Sequence, residues 1–517
     1  MPAPTRRDFL KTAVAAGVAA HAGASLAGQD GQAKPGPAPD PTFRPPPKPP
    51  RPNILIVLSD DHRYDAMGYL GGGPYPGIRT PHMDALAAAG CTFANAFVTT
   101  SLCSPSRASM LTGLYAHIHQ VLDNRTQIPR SLVTYPELLQ KAGYATAYVG
   151  KWHMGYETDE PRPGFDHWAS FVGQGSYADQ PFNINGVRQV RPGYTTDAIT
   201  ALALEWLRGA PKDRPFCLCV GHKAPHEPFT PPERYKGAYD TLPLPKPMPD
   251  TDAEYAGLPA WVRRQRRSWH GVDGMYDGKT SWERFNRDYP GAIQGVDDSL
   301  GALVAAVRER GTAESTMVVY LSDNGFQVGE HGLIDKRVAY EPSIRIPWIV
   351  SWPGVIAPGT REESQILNID FASMVLDAAR VPIPGSFQGR SPLPLLRGER
   401  VHGRGPWLYE YSWEFDFPQT PTLHAVRTQR FKYIRPWGVW DVEELYDLID
   451  DPGERKNLAA DPAHAGTLKD LREELDRLLK ETGSRSRPTW QGDYAPLGLC
   501  EDPFNLRATH GGPERPK

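Results

Sequence analysis

Cysteine is scarce in this chain. Five residues in 517, at positions 91, 103, 217, 219 and 500, are too few and too irregularly spaced for a disulfide framework. A basic excess is missing as well: the formal net charge is −3, and no stretch combines clustered Lys or Arg with spaced aromatics, which argues against a nucleic acid partner. The run Arg263-Arg264-Gln265-Arg266-Arg267 reads as a solvated helix face. Past the N-terminal segment no apolar run reaches the ~18 residues a membrane-spanning helix needs, so no transmembrane anchor is expected in the mature chain. Internal repeats are absent too. What remains is an ordinary globular composition, 40% hydrophobic and 23% charged, long enough to bury a large core in more than one structural unit.

The N-terminus departs from that texture. Thr5-Arg6-Arg7-Asp8-Phe9-Leu10-Lys11 precedes an Ala/Gly-rich apolar stretch from Thr12 to Ala27. The pattern resembles a twin-arginine export signal over residues 1–28 and predicts passage through that export machinery to a periplasmic or extracellular location. Residues 29–52 read as a linker, because nearly every second residue from Lys34 to Pro52 is proline, a stiff and unpaired spacer.

From Asn53 onward, short apolar runs alternate with helical patterns. The runs Ile54 to Leu58, Ala145 to Val149, Phe216 to Val220 and Met317 to Leu321 predict an α/β fold over 53–396, with a large mixed, mostly parallel sheet flanked by helices. Helical periodicity is clear in His82 to Gly90 and in Asp297 to Arg310, whereas Leu242 to Tyr289 has no clean period and reads as a long insertion. Residues 397–484 change to alternating aromatic segments and predict a small C-terminal α+β subdomain, an antiparallel sheet covered by a helix from Gly466 to about Thr482. A loosely attached tail, 485–517, follows. Cys217 and Cys219 alternate within one run, share a strand face and read as inert core. Cys103, set among Ser, Pro and Arg, does not.

In parallel α/β sheets ligands sit beyond the carboxyl ends of the strands. Two of the runs end in Ser59-Asp60-Asp61 and Ser322-Asp323-Asn324-Gly325. Carboxylates converging there repel unless a cation neutralises them; all-oxygen ligation favours Ca²⁺, with Mg²⁺ the smaller alternative. The other two runs lead to Lys151 and His153 and to His222 through His226. With Arg107 and Lys336, the cationic groups Lys151, His153 and His226 describe an oxyanion site suited to sulfuryl or phosphoryl transfer.

The segment Leu102-Cys103-Ser104-Pro105-Ser106-Arg107, followed by Leu111-Thr112-Gly113, resembles the type I sulfatase signature of the alkaline phosphatase superfamily, its C-x-P-x-R core complete. Similar segments recur in order: Asn53 to Asp61, Thr80 to Asp84, Gly150 to His153, Ala224-Pro225-His226, Ser322 to Gly325, and distally Glu444 to Leu448 with Asn457-Leu458. The resemblance implies that a maturation enzyme converts Cys103 to formylglycine, whose hydrated aldehyde supplies the nucleophilic hydroxyl. It makes Asp60, Asp61, Asp323, Asn324 and the modified Cys103 calcium ligands, with Arg107 steadying the nucleophile. Lys151 and Lys336 then hold sulfate oxygens, His226 with Lys336 assists the leaving group, and His153 is the base of the elimination. The stretch Asp335-Lys336-Arg337 with Tyr340-Glu341 is similar to N-acetylglucosamine-6-sulfatases, implying a sulfated glycan substrate, for which Trp152, Trp168, Tyr177 and Trp269 are candidate stacking surfaces. Competing readings are an arylsulfatase on small esters, a phosphonate or phosphodiester hydrolase of the same superfamily, and a non-catalytic glycan-binding relative. The mass of the peptide carrying residue 103 from natively expressed protein is expected to be that of the aldehyde; an unmodified thiol there would mean a different nucleophile or no enzyme.

Overall fold

The computed structural model describes residues 51–248, 257–399, 401–437 and 442–484. The expected export signal, nearly all of the linker, Cys500 and the tail lie outside the described residues. In chain order the first strands are β1 (Asn53–Asp60), β2 (Cys91–Phe97), β3 (Ala145–Lys151), β4 (His167–Phe171), β5 (Ala178–Ile184), β6 (Val187–Tyr194), β7 (Phe216–Pro225) and β8 (Thr316–Ser322). A short ribbon, β9 (Gln327–Val328) and β10 (Ile334–Asp335), precedes β11 (Trp348–Ser351) and β12 (Thr360–Leu367). Last come β13 (Trp407–Tyr411), β14 (Leu423–Arg427), β15 (Phe431–Pro436) and β16 (Glu444–Asp447).

Ten strands form one sheet in the order β12-β2-β11-β8-β1-β7-β3-β4-β5-β6. Its centre, from β8 to β4, is wholly parallel. Antiparallel pairing enters at β11 and in the β5–β6 hairpin, so the sheet is mixed and mostly parallel, as expected. The central runs are continuously apolar because both faces are covered. Ile54, Ile56, Cys217, Cys219, Met317 and Val319 belong to one core layer; Leu55, Val57, Leu218, Val220, Val318 and Tyr320 belong to the other. Both strand cysteines are buried and free, on one face as the alternation required. Among the described residues no helix is long and apolar enough to cross a membrane.

Two expectations need correction. The helix expected from Asp297 begins at Trp282 and runs to Glu309, so the end of the supposed irregular insertion is helical. Pro290, Gly291 and Gly295 blurred its period, although Ser281 caps the start by accepting from Arg284 N–H at 3.1 Å. Gly291 has a packing reason: a Cβ there would lie 2.9 Å from the Pro231 side chain. The insertion also contains a short helix, Ala260–Gln265, whose Arg263 and Arg264 are exposed.

Strands β13 to β16 form the small antiparallel sheet, and the Ala465–Glu481 helix buries Leu468, Leu471, Leu475, Leu478 and Leu479 against it. This sheet shares a core with the large one. It is tied to the 336–341 segment by Tyr409 Oη donating to Val338 O (3.1 Å) and by Lys432 Nζ donating to Ala339 O (2.9 Å). Lys432, with no exposure, also pairs with Glu341 at 2.9 Å and Glu454 at 2.7 Å. Removing the cation leaves the buried Glu454 without its ion-pair partner and Glu341 with Arg427 alone. Lys432→Met is therefore expected to lower unfolding free energy by about 3–5 kcal/mol in a denaturant titration; an unchanged midpoint would show that the cluster does not hold the C-terminal sheet in place.

Candidate active site

Strands β1 and β8 pair in register, Ser59 against Ser322, so their Ser-Asp endings lie side by side. β7 and β3 follow on the other flank of β1, and the four strand ends form one rim. Successive side chains of an extended strand point to opposite faces, but Asp61 has φ 64°, a conformation Asp tolerates better than most residues. The kink lets Asp60 and Asp61 both face Asp323: one carboxylate oxygen from each lies within 4.8 Å of the others.

These carboxylates are at most 1% exposed, and cations are driven against them. Arg107 Nε meets Asp323 Oδ2 at 2.8 Å and Nη2 meets Asp60 Oδ2 at 3.4 Å, while Nη1 donates to Lys151 O at 2.6 Å. Lys151 Nζ contacts the same Asp60 oxygen and Gln174 Oε1. Lys336 Nζ donates to both oxygens of Asp61, at 2.7 and 2.6 Å. Burial would raise Asp60, but Lys151 and Arg107 hold it below the usual carboxylate range. Asp61 is pushed up to about 7, by burial first, Lys336 only partly offsetting it; Asp323 is raised by burial and by Asp60. Asn324 donates Nδ2 to Asp61 Oδ1 at 2.5 Å, leaving its own buried Oδ1 without a partner. Three carboxylates and an orphaned amide oxygen suit a hard divalent cation.

Cys103 opens the Cys103–Thr112 helix. The thiol thus sits at the positive end of the peptide dipoles, with Ser104 N–H donating to Asn124 Oδ1 at 3.0 Å. Cys103 Sγ lies 3.5 Å from Asp60 Oδ1. Burial, then Asp60, pushes the thiol well above its ordinary range. Arg107 follows one helical turn later. His153, also in a left-handed conformation (φ 50°), is buried with neither ring nitrogen partnered. Burial, then Lys151 and Arg107, keeps it neutral. His226 Nδ1 lies 2.9 Å from Glu227 O, and its Nε2 lies 3.7 Å from Asp61 Oδ2. It too is held well below the ordinary histidine range, by burial and then by Lys336 and Lys151.

The structure brings together all ten of the predicted site residues, Asp60, Asp61, Cys103, Arg107, Lys151, His153, His226, Asp323, Asn324 and Lys336. It adds Gln174, Asn124 and Lys223. Gln174 sits in Gly173-Gln174-Gly175 just after β4, a strand end the apolar runs did not reveal. A cleft of ≈ 710 Å³ opens onto His226, Lys336, Arg337, Gln174 and Asn124. The aromatic expectation is mostly overturned: Trp152 and Trp168 pack with Tyr148 and Phe165 in a buried cluster, and Tyr177 is buried as well. Only Trp269 of the four lines the cleft, beside Tyr156 and Phe417.

Residues 52–381 match the sulfatase family model. The chain belongs to the sulfatase family. Residues 329–481 of this sulfatase also match the model for the C-terminal region of N-sulphoglucosamine sulphohydrolase. It is 33% identical over 494 residues to an N-acetylglucosamine-6-O-sulfatase of Bacteroides thetaiotaomicron, covering 83% of this chain and 87% of that one. A solved structure in complex with its substrate, D-glucosamine-2-N,6-O-disulfate, superposes with a TM-score of 0.77 at 31% identity, over 84% of this chain and 98% of the other. A multifunctional alkaline phosphatase superfamily protein of Trinickia caryophylli is 28% identical over 492 residues, 81% of this chain and 93% of that one. The sulfatase is a sulfuric ester hydrolase. If the oxygen cluster takes a divalent cation, chelation is expected to lower the thermal midpoint and added calcium to restore it, by ~2.7 kcal/mol at a hundred times the dissociation constant. Asn324→Ala should blunt that shift; a midpoint indifferent to chelator and calcium would exclude a bound metal.

Proposed function

We propose that this sulfatase releases inorganic sulfate from a sulfated carbohydrate, with 6-O-sulfated N-acetylglucosamine the favoured class, and that its nucleophile is formylglycine made from Cys103. The observation that carries the reading is the setting of Cys103: a buried residue at a helix N-terminus, 3.5 Å from Asp60 and one turn from Arg107. A thiol whose proton affinity is raised there is a poor nucleophile. Formylglycine would supply a hydrated aldehyde: one hydroxyl to bond to sulfur as the sulfur–sugar oxygen bond breaks, and a second whose deprotonation lets the carbon–oxygen bond to sulfate break and the aldehyde reform. The glycan assignment is supported by the 33% identical N-acetylglucosamine-6-O-sulfatase and by the relative solved with a sulfated glucosamine.

Calcium, with magnesium the smaller alternative, fits Asp60, Asp61, Asp323, Asn324 and residue 103, and supplies positive charge for the sulfate oxygens. Arg107 reaches carboxylates on two strand ends and steadies residue 103. Lys151 and Lys336, fully buried, hold sulfate oxygens as fixed cations where charge develops. His226 and Lys336 flank the same Asp61 carboxylate and assist departure of the sugar oxygen. His153, neutral and with free ring nitrogens, accepts the proton when sulfate is expelled. The reading implies a maturation enzyme acting on Cys103, export by the twin-arginine machinery, and action in the periplasm or outside the cell.

Cys103→Ala is expected to cut sulfate release by roughly a thousandfold or more, without changing the fold; unchanged turnover would overturn the central assignment. In a panel, 6-O-sulfated N-acetylglucosamine should outrank nitrophenyl sulfate and phosphonate esters in kcat/KM, and faster phosphonate hydrolysis would move the enzyme to another branch of the superfamily.

A further inference from the structure

Lys223 is the odd charge of the site. It is 3% exposed, yet among the described residues no carboxylate forms an ion pair with it, an arrangement that is costly without compensation. Burial, then Lys151, brings its ammonium down to about 8, so it stays mostly charged at neutral pH. Its side-chain contacts among the described residues converge on the segment that carries His226. Nζ donates to Glu227 O at 2.9 Å, the same carbonyl that His226 Nδ1 reaches at 2.9 Å. The ammonium lies 5.1 Å above the Tyr177 ring, a cation–π contact that stands in for the missing carboxylate. Tyr177 Oη donates to His226 O at 2.6 Å, and His226 N–H donates to Lys223 O at 3.0 Å.

A carbonyl oxygen only accepts, and it has two lone pairs. Two donors, Lys223 and His226 Nδ1, therefore share Glu227 O, and the imidazole is pinned with Nε2 toward the Asp61 carboxylate. Tyr177 fixes the backbone of the same residue from the other side. We propose that Lys223 and Tyr177 are positioning residues for His226, holding the 223–227 turn so that Nδ1–H stays on the Glu227 carbonyl while Nε2, protonated once the sulfate anion is bound beside it, gives its proton to the oxygen of the departing sugar and returns to the neutral ring. The inference rests on the leaving-group role given to His226 above.

The test uses the mature holoenzyme and two esters: a 6-O-sulfated sugar, whose alkoxide leaves poorly, and nitrophenyl sulfate, whose phenoxide leaves well. Lys223→Met is expected to lower kcat on the sugar about a hundredfold and Tyr177→Phe about tenfold, with KM changed less than about twofold. On nitrophenyl sulfate the fall should be under about threefold, because that leaving group needs little help. Lys223→Arg, which keeps a donor, should recover part of the loss. Placed in a His226→Ala background, either change should add nothing on the sugar. Equal losses on the two esters, or losses that multiply with His226→Ala, overturn the proposal. His226→Ala alone separates the two ideas. If it shows the leaving-group dependence and Lys223→Met does not, only the positioning role falls; if it loses both esters equally, the leaving-group role falls and the positioning role with it. Should Lys223→Met prove unstable in a thermal melt, Tyr177→Phe, which deletes a single hydroxyl, decides.

Discussion

The constraint on which this structure depends is mutual repulsion among Asp60, Asp61 and Asp323. Oxygens within 4.8 Å of each other and shielded from water repel by at least ~3 kcal/mol per ionised pair at an effective dielectric of about 20. The main-chain N–H of Asp61 reaches Asp323 Oδ1 at 3.2 Å but brings no net charge, so the fold sets cations at the same point. Arg107, Lys151 and Lys336 arrive from a helix, a strand and a loop far apart in sequence; Arg107 ion-pairs with Asp323 and Asp60, Lys151 with Asp60 and Lys336 with Asp61. Such a cluster is stable only while every member is in place. Removing one leaves a buried charge without its counterpart.

Arg107 shows how the architecture meets the demand. Its guanidinium joins Asp323 after β8, Asp60 at the end of β1 and the Lys151 carbonyl at the end of β3, so one planar group spans three strand ends. The helix that carries it is fastened in turn: Ser106 Oγ donates to Asp323 O and receives Asn368 Nδ2 at 2.9 Å. Lys336 has a different foundation. Its loop rests on the C-terminal sheet through Val338, Ala339 and Glu341. The small sheet thereby supports the candidate site, although none of its strands supplies a predicted site residue.

What could be read in the sequence and what could not divide along a physical line. Strands β1, β3, β7 and β8 were legible because strands buried on both faces are unbroken apolar runs, and the polar residues ending them are the ones a parallel sheet gathers on one rim. The antiparallel placement of β11 was not legible, since pairing direction is decided by nonlocal contacts. Gln174 was hidden because β4 is short and its alternation unremarkable. The long helix was truncated because Pro290 and Gly291 look like breakers, while the reason for Gly291 is a proline on another segment. Trp152, Trp168 and Tyr177 looked like binding surface only because composition cannot tell a packed ring from an exposed one. Lys223 was not singled out within the His222–His226 stretch, because the contact that gives it a place is with Tyr177, just before β5.

Residue 103 is where the electrostatics and the covalent chemistry meet. A cysteine acts as a nucleophile only as its thiolate, and a thiolate here would stand 3.5 Å from an ionised, buried Asp60. The helix N-terminus, Lys336 and Lys151 favour negative charge, but burial and Asp60 outweigh them and the thiol keeps its proton. On the proposed reading the nucleophile is instead a hydroxyl, which gives up its proton as it bonds to sulfur beside the lysines proposed to hold the sulfate oxygens. The proposed conversion of Cys103 to a hydrated aldehyde would replace a thiol that burial and Asp60 keep protonated with a group that carries its own oxygen nucleophile. That is why a lone cysteine, buried among fixed charges, reads as a precursor of the nucleophile and not as the nucleophile itself.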